Sequence, residues 1–174
     1  MNTLRERWRR QVETLVTPGD LGLWLVRAGL MDEPPEVTPK VLRQARELRE
    51  AIDACTAATL DGRPVSPESV KLIDDWLVFA GARPQLVVAD GAALLTERAA
   101  ADSPRRALGM VALDAARMLG LDAERERIRI CASETCSARF YDRSPAGRRR
   151  WCSMRTCGNE AKARRHRARQ RAGA

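Results

Sequence analysis

The sequence predicts a mainly α-helical protein built from two unequal parts. In residues 1–123, termed the body, the same signal for a helix start recurs before several apolar faces, and one Asp-Gly turn predicts a single small β-hairpin. In residues 124–174, large aliphatic side chains become rare, arginines accumulate, and four cysteines occur in two evenly spaced pairs. We therefore expect a helical N-terminal domain followed by a small C-terminal module.

The length and the charge distribution agree with this division. The chain has 174 residues, 44% of them hydrophobic, which is enough for one helical domain of about 120 residues and a small appendage. Residues 124–174 contain fifteen Lys/Arg and five Asp/Glu and carry a charge of +10. The body contains sixteen Lys/Arg and eighteen Asp/Glu and carries a charge of −2. Such a basic segment is typical of an element that binds a polyanion, although a solvated, disordered tail has the same composition.

The first ten residues, MNTLRERWRR, are charged and are not followed by the apolar stretch of a secretion signal. No window approaches the roughly 18 consecutive apolar residues of a membrane span. We therefore expect a cytoplasmic protein that has no membrane partner and is associated with the nucleoid. In such a reducing compartment, regularly spaced cysteines indicate metal ligands rather than disulfides.

The first two predicted helices begin at polar caps and end at glycines. Asp20 is expected to cap the first helix and Gly29 to end it. Thr38 followed by Pro39 opens a longer helix that ends near residues 61–62. Spacings of four and three place the apolar residues of this second helix on one face, formed by Val41, Ala45, Leu48, Ile52 and Cys55.

Two further helices begin with a serine followed by a proline, at Ser66 and at Ser103, and end before Gly81 and at Gly120. Their apolar faces are Val70, Ile73 and Leu77, with Trp76 and Phe79 alongside, and then Leu108, Val111, Ala115 and Met118. Between these helices, the runs QLVVA and AALLT flank the dipeptide at 90–91, which predicts the β-hairpin.

Four cysteines near the C-terminus have the spacing of a structural zinc site. Two CxxxxC pairs are separated by fifteen residues: Cys131 and Cys136, then Cys152 and Cys157. Zinc takes four ligands in a tetrahedron, and a short spacing lets each pair hold one edge of it. Two disulfides or scattered core thiols are the alternative. A segment so short and so charged, however, buries too little apolar surface to fold without a staple.

We expect one structural zinc ion in a ββα-like module that ends in a basic helix. Arginines alternate with apolar residues over 127–130 and at 139–140, which predicts two short strands with one packed and one solvated face. Residues 144–147 form the predicted turn, and Trp151 is expected to cover the metal. Four thiolates fill the coordination sphere, and the single histidine, His166, lies in the tail, so we do not expect an enzyme.

The basic residues around the cysteines are the candidates for contacts with nucleic acid. The residues after Cys157 include no apolar side chain larger than alanine, which predicts a helix that is loosely anchored. The phosphate-contacting candidates are Arg148, Arg149 and Arg150 on the strand that leaves the turn, Lys162, Arg165 and Arg169 on one helical face, and Arg164 and Arg167 on the adjacent face. Arg155 and Asn159, close to the metal, are the candidates for reading bases.

Several segments between Arg129 and Arg171, namely RICASETC, FYDRS, RRRWCSM, TCGNE and AKARRHRAR, closely resemble the CGNR-type zinc finger of bacterial regulators. That family typically joins the finger to a helical N-terminal domain called ABATE, and LWLVRAGL, LREAI and the hairpin and helix before Ile128 look like that domain. The resemblance implies a transcription regulator and assigns the four cysteines as its metal ligands.

Two positions depart from the family pattern. Glu160 stands where the name-giving arginine of the finger belongs, in the first turn of a helix, where it is expected to pair with Arg164. Glu13 stands in place of the usual asparagine of the N-terminal motif. Contacts that other members make through that arginine or that asparagine therefore do not transfer directly to this chain.

Our first hypothesis is a transcription regulator whose body senses a small ligand or mediates association, including as a homodimer, and whose basic module holds DNA. The alternative is an adaptor whose zinc module binds an acidic surface of a protein such as the transcription machinery. RNA ranks below both, because two aromatic residues near the finger offer little surface for stacking bases.

Overall fold

A computed structural model describes residues 2–81, 85–89, 91–96 and 101–172. The described residues are mainly helical, which confirms the predicted fold class. In chain order the elements are β1 (Leu4–Arg5), β2 (Val12–Glu13), α1 (Pro18–Arg27), α2 (Pro39–Leu60), α3 (Pro67–Leu77), β3 (Gln85–Ala89), β4 (Ala92–Thr96), α4 (Pro104–Gly120), α5 (Asp122–Arg125), β5 (Ile128–Ile130), β6 (Arg139–Tyr141), a π-helical turn (Met154–Gly158) and α6 (Asn159–Ala172). The strands pair as three separate antiparallel ribbons, β1 with β2, β3 with β4 and β5 with β6.

The four long helices of the body begin as predicted, with one correction. Each has a threonine or serine cap followed by proline in the first turn, and the hydroxyl accepts a backbone N–H three residues on. At α1 the cap is Thr17, and Asp20 is the third helical residue. The Asp20 carboxylate accepts from Thr17 N at 2.7 Å and so completes a capping box. Gly29, with φ of +68°, ends this helix as expected.

The core of the body lies between α1, α2, α3 and α4. On the predicted apolar face of α2, four residues are buried and Val41 is half-buried at the edge. The other helices contribute further large buried side chains, which are Leu21 and Leu25 in α1, Ile73 and Trp76 in α3, and Leu108 in α4, and Leu15 enters the core from the segment before α1. Trp76, predicted beside the apolar face of α3, is buried, and Trp24 packs against the core. Two predictions on α3 were wrong: Val70 is exposed, and Phe79 lies beyond the end of the helix.

Helix α4 lies against the backbone that follows α3 at Gly109. A Cβ atom at this position would lie 2.6 Å from the backbone carbon of Phe79 and 2.7 Å from the backbone nitrogen of Ala80. Because the obstructing atoms are backbone, a side chain here requires the two helices to separate. Sequence periodicity gave no indication of this contact.

The predicted β-hairpin is present, with β3 and β4 in a register that pairs Ala89 with Ala92. Gly91 has φ of +77°, as a two-residue hairpin turn requires, and Asp90 falls outside the described residues. A second hairpin, β1–β2, was not predicted. Its connecting loop contains two non-glycine residues with positive φ, Glu6 at 49° and Gln11 at 52°. Strands of two residues are too short to show alternation in a sequence.

The N-terminal arm, which is residues 2–13 of the body, lies between α2 and the C-terminal segment. The side chain of Asn2 donates to the backbone oxygen of Arg139 at 2.8 Å, and the backbone nitrogen of Arg7 donates to Ser137 Oγ at 2.9 Å. The guanidinium groups of Arg7 and Arg139 both form ion pairs with Asp53 on α2. The segment with the cysteines is therefore attached to α2 by direct and arm-mediated polar contacts.

Helices in the described part of the chain are all too short or too polar to cross a lipid bilayer.

Candidate metal centre and basic surface

The β5–β6 ribbon positions the first pair of cysteines. Its register pairs Ile130 with Arg139, so that Cys131 and Cys136 both lie in the connecting loop. The backbone nitrogen of Cys131 donates to Ala138 O at 2.9 Å, which extends the ribbon by one bond. The expected alternation of packed and solvated faces was only partly correct, since Ile128 is buried but Ile130 is 41% exposed.

The second pair is held by an irregular segment and the π-helical turn. Cys152 lies before this turn and Cys157 within it. The hydroxyl of Ser153 accepts from Thr156 N at 3.3 Å and so caps the turn. A Cβ atom at Gly158 would lie 2.7 Å from Met154 Sδ and 3.6 Å from the ring of Trp151. Trp151 thus packs beside the second cysteine pair. Its predicted role is to cover the metal from this position.

The four sulfur atoms have the separations of a tetrahedral zinc site. All lie within 4.8 Å of one another, and Cys152 Sγ is 3.8 Å from both Cys136 Sγ and Cys157 Sγ. A tetrahedron with zinc–sulfur distances of about 2.3 Å has edges of about 3.8 Å. The chemistry and the geometry of these donors fit one zinc ion, which would hold the two loops together and leave no coordination position for a substrate.

Burial and neighbouring groups shift the pKa values of Cys131, Cys136 and Cys152. Burial, followed by the charge on Cys131, raises the pKa of Cys136 to about 11, and burial together with the charge on Cys136 raises the pKa of Cys152 well above its ordinary value. At Cys131, burial acts in the same direction, but backbone N–H groups of Cys152 and Ser133 donate to the sulfur and lower its pKa. Four neighbouring thiolates therefore need a positive ion among them.

Asp142 organises the connection between the two cysteine pairs and was not singled out from the sequence. Its side chain is fully buried and accepts from the backbone nitrogen of Ser144 at 3.0 Å and of Arg149 at 2.8 Å. Burial alone raises the pKa of a carboxyl, but these bonds lower the pKa of Asp142 to about 2. Since this value lies below the ordinary 3.8, the carboxylate stabilises the fold fully at neutral pH, and its contribution is lost only as the pH falls through the range between the two values.

Asp142→Asn is expected to destabilise the zinc site, because one of the two buried backbone N–H groups would face an amide that donates instead of accepts. We expect faster loss of zinc to a chelator and a lower unfolding temperature of the segment around the cysteines. Asp122→Asn is the matched control, since that carboxylate is 87% exposed on α5. Equal rates of zinc loss in the two variants would contradict the role assigned to Asp142.

Glu13, one of the two departures from the family pattern, has a structural partner. Its carboxylate accepts from Arg49 Nη1 at 2.7 Å and from the backbone nitrogen of Leu15 at 2.9 Å. Burial alone raises the pKa of a carboxyl, but the bonds from Arg49 and Leu15 lower that of Glu13. Arg49 is buried on α2, so this pair anchors the end of the N-terminal arm to that helix.

Arg148, Arg149 and Arg150 lie on an exposed irregular segment rather than on the predicted strand, since no ribbon continues past the turn at 144–147 in the described structure. The side chain of Arg149 donates to Cys152 O at 2.8 Å and lies 5.2 Å from the centre of the Phe140 ring. That of Arg150 lies 5.1 Å from the Trp151 ring. These two arginines therefore pack on aromatic rings of the zinc module, which is residues 124–172, and Arg148 beside them in the sequence is exposed.

The remaining nucleic-acid candidates lie on the π-helical turn and on α6, which forms as predicted. The exposed members are Arg155, Asn159, Lys162, Arg165, Arg167 and Arg169. Arg164 is half-buried and pairs with Glu134 on the first cysteine loop, with 3.5 Å between Nη1 and Oε2, and not with Glu160 as expected. This pair links α6 to the first cysteine loop, and His166 is exposed along the helix.

Two concave regions adjoin these elements. A cleft of about 510 Å³ separates the N-terminal arm from the zinc module, and Arg5, Cys136, Thr156 and Glu160 are among the residues that line it. A second cavity, of about 280 Å³, lies between α2, α3 and α4 in the body. Its wall is mostly apolar and is formed by residues that include Cys55, Val65, Val70, Ile73, Leu77 and Leu119, with Asp74 and Arg125 as charged members. Burial raises the pKa of Cys55, as suits an ordinary buried thiol.

Two family models match the chain. The ABATE model, described as "Putative stress-induced transcription regulator", matches residues 1–121, and the CGNR zinc finger model matches residues 127–170. Neither description is that of an enzyme family. No curated protein matches the chain significantly.

Proposed function

The chain belongs to the ABATE family and carries a CGNR zinc finger, and from this premise we propose that it is a DNA-binding transcription regulator. In this proposal the body, residues 1–123, senses a ligand or mediates association, and residues 124–174 hold DNA. A cytoplasmic location on the nucleoid follows from that function.

The observation that carries the proposal is the basic helix that leaves a closed four-thiol site. The cysteine loops fix the start of α6, and its exposed cations extend into solvent along more than one face. A rigid base with projecting Lys and Arg side chains matches the phosphates of a duplex, which position a protein without specifying sequence. Arg155 and Asn159 lie within two residues of Cys157, and Asn159 Nδ2 donates to Arg155 O at 3.2 Å, so their backbone is the part of this surface best placed to aim side chains at base edges.

The same site supports a function without catalysis. Four thiolates satisfy zinc completely, and a catalytic zinc keeps a position open for water or substrate. The metal in this proposal therefore has a structural role: it holds the loops from which α6 and Arg155 project.

The apolar cavity in the body supports ligand sensing as part of the proposal. Its wall favours a small, mostly apolar molecule, with Asp74 and Arg125 available to a polar group of that molecule. A thermal-shift screen of the whole chain against small apolar compounds tests this role, since a bound ligand raises the unfolding temperature.

Removing two exposed charges from one face of α6 is expected to weaken binding to duplex DNA. For Arg165→Gln/Arg169→Gln, the slope of log affinity against log salt should decrease in magnitude by about 2, because each phosphate contact contributes about 0.9. The measurement is fluorescence anisotropy with a labelled mixed-sequence duplex over a series of salt concentrations.

The matched control is Arg27→Gln/Lys40→Gln, which removes the same charge from exposed positions of the body. If both double variants bind with the same affinity and salt slope, α6 does not hold DNA. A protein partner that stays bound after nuclease treatment would then favour the adaptor.

A further inference from the structure

The N-terminal arm has a composition that its structural role does not explain. Residues 5–10 read RERWRR, and most of them project from the β1–β2 hairpin. Arg5 and Arg9 are exposed, and Trp8 is 53% exposed. An exposed indole between arginines resembles in chemistry the surfaces on which proteins hold nucleic acids, where cations meet phosphates and aromatic rings stack on bases or sugars.

Contacts within the arm show which charges are available. Arg7 is engaged with Glu50 and Asp53 on α2, and Arg10 forms a 2.6 Å ion pair with Glu6. Arg5 and Arg9 are exposed and form no ion pair with these carboxylates in the described structure, although the charge of Arg9, after the bond from Arg10, helps to lower the pKa of Glu6. Glu160 lines the same cleft as Arg5 and carries the opposite charge, whereas Arg9 and Trp8 do not line it. A polyanion is therefore attracted more strongly to the side of the arm that bears Arg9 than into the cleft.

The arm is held in place beside the zinc module. The backbone nitrogen of Arg7 is bonded to Ser137, the residue after Cys136, and Asn2 is bonded to the second strand of the ribbon at Arg139. Arg5 lines the same cleft as Thr156 on the π-helical turn and Glu160 in the first turn of α6. The arm and the basic helix thus border one cleft, so a long polyanion beside one of them lies within reach of the other.

We propose that the N-terminal arm is a second DNA-contacting element, in which Arg5 and Arg9 bind phosphates and Trp8 packs on a sugar or a base. The proposal rests on the proposed function, because the arm adds contacts to a duplex that α6 already holds. It gives the negatively charged body a part in binding, through its first residues only.

The test uses the whole zinc-loaded chain and the labelled mixed-sequence duplex. For Arg5→Gln/Arg9→Gln, we expect a salt slope smaller in magnitude by about 2. For Trp8→Ala, we expect an affinity loss of about fivefold or more with an almost unchanged slope, because stacking is not an ionic contact. Arg5→Lys/Arg9→Lys, which keeps both charges, should retain the slope of the unaltered chain.

Each result decides the proposal. In one outcome, Arg5→Gln/Arg9→Gln binds DNA as tightly as the Arg27→Gln/Lys40→Gln control, while Arg165→Gln/Arg169→Gln binds more weakly. The proposal for the arm is then wrong, and the proposed function stands. If the lysine variant loses as much slope as the glutamine variant, the arginines support the fold and do not bind phosphate, which also overturns the proposal. If the unaltered chain shows no salt-dependent affinity, both proposals fail. Zinc content and unfolding temperature, measured for every variant, show that the module is intact.

Discussion

Cys131→Ser is expected to release the zinc ion and unfold the zinc module while the helical core of the body stays folded. The module has few large buried apolar side chains, so metal binding supplies most of its folding free energy, as in other small zinc domains. The body core consists of residues between Leu15 and Ala115 and includes none of the cysteine loops. Zinc content should fall from one ion per chain to none, and far-UV circular dichroism should retain the signal of α1–α4.

Cys55→Ser is the matched control for this experiment. Cys55 is also a buried cysteine, but it lies on α2 at the apolar cavity, far from the four-sulfur cluster in the sequence. This variant should keep one zinc ion per chain and lose some stability of the body, because a hydroxyl replaces a thiol in an apolar place. Loss of zinc in both variants, or unfolding of the whole chain in Cys131→Ser, would contradict the view that the body and the zinc module have separate cores.

Gly109→Ala is expected to destabilise the body by about 1–3 kcal/mol, the usual cost of overpacking. Two effects of opposite sign compete at this position. Alanine favours the helix by about 1 kcal/mol over glycine, but its Cβ would lie within 3 Å of the backbone of Phe79 and Ala80. Backbone atoms cannot move away as the end of a flexible side chain can. The steric clash with Phe79 and Ala80 therefore costs more than the gain in helix propensity.

Gly120→Ala, at the last residue of the same helix, separates the two effects. A Cβ atom there meets no atom within 4 Å, and its φ is not positive. This variant should therefore be as stable as the unaltered chain or slightly more stable. Thermal and urea unfolding of both variants give the comparison, and an unchanged midpoint for Gly109→Ala would show that α3 and α4 separate without cost.

The body helices were predictable because their signals are local. A serine or threonine followed by proline marks each helix start within a few residues, and the apolar spacing of α2 gave its buried face with one residue at the edge. The correction at Thr17 is of the same kind: Asp20 does bond to the cap, but from the third helical position. Val70 and Phe79 were misassigned because helical spacing does not show where a neighbouring helix ends.

The metal centre was predictable from spacing, whereas its surroundings were not. Four cysteines in two equal pairs indicate their chemistry without reference to the rest of the chain. The bond from Arg7 to Ser137 spans 130 positions and the pair of Arg139 with Asp53 spans 86, and no local pattern predicts such partners. Asp142 likewise resembles any turn residue until its burial is known. The β1–β2 hairpin was not predicted because its strands have only two residues each.

The pairing of Arg139 and Arg7 with Asp53 also limits how the two halves of such a chain can be exchanged. Asp53 is nearly buried between two guanidinium groups, one from the zinc module and one from the N-terminal arm. A chimera that joins this module to a body with no acidic residue at the position of Asp53 would bring Arg139 without its carboxylate, and an unpaired charge at a packed surface is costly. A functional exchange has to carry three pieces together: the module, the arm and the acidic position on α2.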